Sequence, residues 1–221
     1  MAGESFAWNY DRSELIADGI VHGVGVVLAL AGAVALVACA AVWSSGGVLA
    51  AVSVYGAGLV LALGISCAYN VWPVSAVKWR LRRFDHASIF VLIAATYTPF
   101  LQRGVDEPVL AFMLVAIWVA AIAGAALKFL LPGRFDRLAI LLYLLMGWSG
   151  VLAAEPLASR LPAITMLLIL AGGVLYSVGV VFHVWERLRF QNAIWHGFVV
   201  AAAATHYSAV LASIVAGGPD L

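Results

Sequence analysis

Seven runs of apolar residues occupy most of this chain, and they constrain its fold more than any other feature. They fall roughly at 17–43, 47–72, 87–102, 109–130, 138–154, 163–184 and 193–216. A helix needs about 20 mostly apolar residues to cross the hydrocarbon of a bilayer. The third run is short, and its start can reach back to Asp85. Inside hydrocarbon every backbone polar group must be paired within the protein, which runs of this length satisfy as helices. Only 10% of the residues are charged, whereas a soluble domain carries about 25%. The expectation is an all-α integral membrane protein, a seven-transmembrane helix bundle forming a single domain over residues 1–221. No internal repeat is visible, and no soluble domain fits between the runs.

The connections are short and readable. SSGG at 44–47 makes a tight turn, Pro73 and Pro108 mark helix ends, and LPGRF at 131–135 and EPLASRLP at 155–162 are polar links. Basic residues divide unevenly among them. Arg12, Lys78, Arg80, Arg82, Arg83, Lys128, Arg134, Arg137, Arg187 and Arg189 fall on one side, and only Arg103 and Arg160 on the other. The positive side faces the cytoplasm. The N-terminus is therefore expected inside and the C-terminus outside, in the plasma (cytoplasmic) membrane. MAGESFAWNYDRSEL at the start lacks the basic-then-apolar pattern of a cleaved signal peptide. Cys39 and Cys67 lie in apolar runs and read as small hydrophobes, not a disulfide framework. A net charge of +1 argues against a nucleic-acid partner.

Polar residues within a bilayer are costly and mark function by default. Asp18 and His22 open the first span, and Ser66 and Asn70 close the second. Asp85 and His86 open the third, His183 closes the sixth, and Asn192 and His196 open the seventh. All of these fall at the basic end, and His206 alone lies deeper. Asp18/His22, Ser66/Asn70 and Asn192/His196 are each spaced i, i+4, so each pair shares a helix face. A single polar pocket is expected, lined by Asp18, His22, Ser66, Asn70, Asp85, Asn192 and His196. Asp85 is its candidate acid or base, although KWRLRRF just before it supplies Arg82 and Arg83 as ion-pair partners. His183 beside Trp185 reads as interfacial, and Gly56, Gly58, Gly172 and Gly173 read as close-packing positions between helices.

Four stretches carry a family resemblance: ELIADGIVHGVG (14–25), SCAYN (66–70), RFDHASIFVLIAATYTPF (83–100) and QNAIWHGFVVAAAATHYSAV (191–210). They resemble the haemolysin III family, which belongs with the progestin and adiponectin receptor superfamily and, more remotely, the alkaline ceramidases. The resemblance implies a seven-helix bundle with its N-terminus inside. It also implies a Zn²⁺ held by three histidines, one closing an S-x₃-H motif in span 2 and two in an H-x₃-H pair in span 7, with an Asp of span 3 nearby. Here the serine falls on Ser66, the Asp on Asp85 and the last histidine on His196. The other two histidines fall on Asn70 and Asn192. A neutral carboxamide is a weak zinc ligand beside His, Cys or carboxylate. Zinc binding is therefore expected to be lost or weakened, unless His22, His86 or Asp85 supplies ligands.

The favoured reading is a lipid-binding or lipid-responsive protein of membrane homeostasis, with membrane lipids as its partners. Against it stand a zinc-dependent lipid amide hydrolase, in which Asp85 and Ser66 would be catalytic, and the pore-forming activity that the family name suggests. A proton-coupled transporter is a fourth reading, weakened by an outer half almost without ionisable residues. Protein partners and oligomeric state are not legible in the sequence.

Overall fold

The computed structural model describes residues 10–217. Among them are seven helices long and apolar enough to cross a membrane, and no strand. They are α1 (Arg12–Trp43), α2 (Gly46–Val71), α3 (Ala76–Gln102), α4 (Pro108–Leu130), α5 (Asp136–Ala158), α6 (Ala163–Val184) and α7 (Gln191–Gly217). At 1.5 Å per residue, the shortest of these, α6 at 22 residues, is about 33 Å long, enough to cross a core of about 30 Å.

Several helices extend past their apolar runs at the basic end, where local signals start and stop them. Asp11 caps α1: its carboxylate accepts from the Glu14 N–H at 2.9 Å, while Glu14 Oε2 accepts from the Asp11 N–H. Such a capping box pairs two backbone donors left over at a helix start. Ser75, two residues after Pro73, caps α3 and accepts from the Lys78 N–H. α3 therefore begins eleven residues before the apolar run, and KWRLRRF is helical. Gly133 turns LPGRF with φ +75°, and Pro108 opens α4 where no N–H is needed.

α5 is not uniform. It is α-helical to Trp148, narrows to a 3₁₀ stretch over Ser149–Ala153 and finishes with a last turn, Ala154–Ala158. Tyr97 of α3 pins the irregularity: its hydroxyl donates to the Gly147 carbonyl at 2.7 Å and accepts from the Gly150 N–H at 2.8 Å.

α1 packs between α2 and α7, α3 packs on α2 and α4, and α6 packs on α7. α5 leans loosely on α3, α4 and α6 and closes the ring. The outward faces are apolar, with Leu152, Phe112 and Val34 mostly exposed, as suits hydrocarbon in place of water. Small residues bring helices close: Gly58 abuts Ala95, Gly56 abuts Ala33, and Gly172 lies under the His206 ring. Opposite the basic end, Arg160 forks onto Asp106 at 2.9 and 2.8 Å, and these hydrogen bonds hold the Asp106 carboxyl below its usual range.

Candidate functional site

The basic end of the bundle gathers two polar groups. The first joins α1 to α7. Asp18 and His22 lie one turn apart on α1, and His196 lies in the second turn of α7. His196 Nδ1 is 2.7 Å from Asp18 Oδ1, and Asp18 Oδ2 is 3.6 Å from His22 Nε2. The two imidazole centroids are 4.1 Å apart. All three residues are buried, with exposures of 6%, 4% and 8%. His22 Nε2 has no hydrogen-bond partner among the described residues. An unpaired nitrogen at that depth carries its full desolvation penalty unless something else binds it.

Glu14 positions this group from one turn earlier. Its Oε1 accepts from the N–H of Phe190, which adopts φ 58° in the left-handed region just before α7 starts. A non-glycine residue there costs about 1–2 kcal/mol. The charged hydrogen bond, worth about 1.5–3 kcal/mol, is enough to offset that cost. Gln191 then ties the start of α7 back to the His183 carbonyl at 2.7 Å. Glu14→Ala is expected to cost about 2 kcal/mol and to loosen the seating of α7 against α1. Unfolding in detergent checks the first effect, and histidine ¹⁵N shifts at His196 check the second. An unchanged His196 signal would detach Glu14 from the site.

The positions implied by the family resemblance are arranged differently. Asn70 Nδ2 donates to the Ser66 carbonyl at 2.9 Å and lies 3.5 Å from Ser66 Oγ. Asn192 Nδ2 donates to Asn70 Oδ1 at 3.3 Å. The two asparagines therefore bond each other, and the Asn70 carboxamide oxygen is already an acceptor. These neutral amides do not fit zinc as the expected histidines would. The Asp18–His22–His196 group, by contrast, brings three donor types that can ligate a metal together, one atom from each lying within 4.8 Å of the others. Asp85 is buried, and its backbone carbonyl accepts from Ser88 Oγ.

The second group lies between α3, α4 and α5. Lys128 is almost fully buried and contacts Asp136 Oδ1, while Arg82 Nη2 meets Asp136 Oδ2 at 3.0 Å. His86 belongs here and not with the candidate metal ligands: its Nδ1 is 4.0 Å from Asp136, and its carbonyl accepts from the Tyr143 hydroxyl. Arg82 thus pairs with Asp136. His183 packs on the Trp195 ring at 4.9 Å, not on Trp185. His206, deeper in α7, lies 3.1 Å from the Ile169 carbonyl. Sequence reasoning missed Asp136, Lys128 and Glu14 as site-building residues, because each stands near a helix end where charge is ordinary.

Both groups border one cavity of about 1590 Å³ lined by α1, α2, α3, α5, α6 and α7. His22, Ser66, Asn70, Asp85, Asn192 and His196 line its basic end. Leu157, Leu161 and Phe100 line the far end, so the wall passes from polar to apolar along its length. Asp18 lies outside this lining, in a small recess with Tyr10, Glu14 and Phe190.

Known proteins place these features in context. The family model described as haemolysin-III related matches residues 12–207. The chain is 35% identical to the haemolysin-3 homologue of Bacillus subtilis (strain 168), covering 90% of this chain and 93% of that one. It is 36% identical to haemolysin-3 of Bacillus cereus, covering 90% of each. It is also 32% identical to the human monocyte to macrophage differentiation factor, over 71% of this chain and 67% of that protein.

Proposed function

The chain belongs to the haemolysin-III-related family of multi-pass membrane proteins, and from that premise we propose that it binds a membrane lipid in its central cavity. The headgroup lies among Ser66, Asn70, Asp85 and His196, and the acyl chains run toward Leu157 and Leu161. One observation carries this reading: the cavity changes from hydrogen-bonding to apolar along its length, which is the profile of an amphiphile. Its volume of about 1590 Å³ exceeds the roughly 300–1,000 Å³ of an ordinary small-molecule pocket. The loose packing of α5 gives an acyl chain a lateral way in from the bilayer. The basic end faces the cytoplasm of the plasma membrane, by the bias of ten basic residues against two.

The test is lipid retained by the purified protein, measured by native mass spectrometry and by extraction. Ala154 lines the cavity, and Ala154→Trp is expected to remove most of the bound lipid while the chain stays folded. His196→Ala is expected to change which headgroups are retained. Equal retention by all three proteins would refute a cavity-bound lipid.

Hydrolysis of a lipid amide is a second reading, supported by Asp85 and His196 lining the same cavity. Fatty acid release from a ceramide-like substrate, abolished by Asp85→Asn, would establish it.

A further inference from the structure

We infer that Asp18, His22 and His196 form a divalent-metal site that bridges α1 and α7, with donors different from those the family resemblance implies. Three observations carry it. The donor set is two imidazoles and one carboxylate, which suits zinc and its first-row neighbours. All three side chains are buried, at a point where two helices meet. His22 Nε2 is buried without a hydrogen-bond partner, and Asp18 Oδ2 is 3.6 Å away. Donors at about 2.1 Å from a tetrahedral zinc stand about 3.4 Å apart. The 3.6 Å separation of those two atoms already meets that spacing. The 2.7 Å contact of Asp18 with His196 is a hydrogen bond. Coordination through both of these atoms would lengthen that contact and require His196 to carry its ring proton on Nε2.

The cation also answers an electrostatic need. A carboxylate at this depth is costly unless it is paired. Bound metal compensates the Asp18 charge and satisfies the His22 nitrogen together. The asparagines at 70 and 192 bond each other and supply no anionic or imidazole donor. Asp18 and His22 of α1 thus take the place of the positions held by Asn70 of α2 and Asn192 of α7, with His196 the shared ligand. Three protein donors leave a coordination position for water or a headgroup, and His22 and His196 both line the cavity.

The experiment is elemental analysis of the full chain for manganese, iron, cobalt, nickel, copper and zinc. The chain is purified without chelator and re-equilibrated with zinc. About one ion per chain is expected. His22→Gln and Asp18→Asn should each lower occupancy at least tenfold at a fixed free zinc concentration. Asn70→Ala and Asn192→Ala should leave it unchanged. As a check that needs no variant, zinc should raise the unfolding temperature of the native chain and a chelator should lower it. Three results would overturn the assignment: no metal above buffer background in the native chain, equal occupancy in His22→Gln, or loss in Asn70→Ala with retention in His22→Gln. Lipid retention measured on the same preparations keeps failure of this site distinct from failure of the lipid reading.

Discussion

Asp136→Ala is expected to be the most destabilising of the conservative-sized changes in this bundle, by about 3 kcal/mol. The reason lies in what it leaves behind. Lys128 is 1% exposed, and Asp136 is its carboxylate partner. Removing one member of a buried pair strands the other charge, at a cost of about 3–5 kcal/mol. Asp136 itself is 36% exposed, so some of that penalty is relieved by solvent, which places the loss at the low end. Arg82 loses a 3.0 Å contact in the same change. Adding Lys128→Met should recover most of the loss, since an apolar replacement of a buried ion pair is near neutral. A residue of about 0.5 kcal/mol should persist, because Asp136 also favours the N-terminus of α5. Urea or thermal unfolding in a mild detergent reads both proteins. If the double variant is no more stable than Asp136→Ala alone, Lys128 is not the stranded charge.

Gly124→Val should disrupt the seam between α3 and α4 by about 1–3 kcal/mol. A Cβ at Gly124 would sit 2.4, 2.5 and 2.6 Å from three carbons of the Phe90 ring. That ring has little room to retreat, because it is fully buried with the Tyr143 ring tilted against it at 4.5 Å. A better helix former than glycine gains at most about 1 kcal/mol, so the clash outweighs the propensity. Gly124→Ala should show the same sign with a smaller loss, and Phe90→Leu should relieve it. A Gly124→Ala protein as stable as the native chain would mean that the two helices are not held this closely.

Seven membrane helices and membership of the family were legible in the residues. Each helix is a local object: about 20 apolar residues in lipid have one way to satisfy their backbone. The helix ends were less legible. The start of α3 turns on Ser75 capping the Lys78 N–H, a signal that an apolar count does not weigh. The basic residues of the connections were read as a topological bias, and two of them, Arg82 and Lys128, also form the buried cluster on Asp136. Nothing in the spacing of 82, 128 and 136 says that they meet.

The site divides in the same way. By itself the sequence set the depth of each polar residue, because position along a helix is depth in the bilayer at 1.5 Å per residue. Asp18, His22, Ser66, Asn70, Asp85, Asn192 and His196 therefore share one end of the bundle whatever the packing. Which of them touch is a matter of how the helices rotate and which are neighbours. α7 lies beside α1, and that adjacency brings His196 to Asp18 and His22 across 178 residues of chain. Asn192 instead reaches Asn70 of α2, and the packing of α3 on α5 takes His86 to the Asp136 cluster. Periodicity gives each helix its polar face, but the facing partner is chosen by side-chain packing summed over the whole ring, which only the tertiary structure contains.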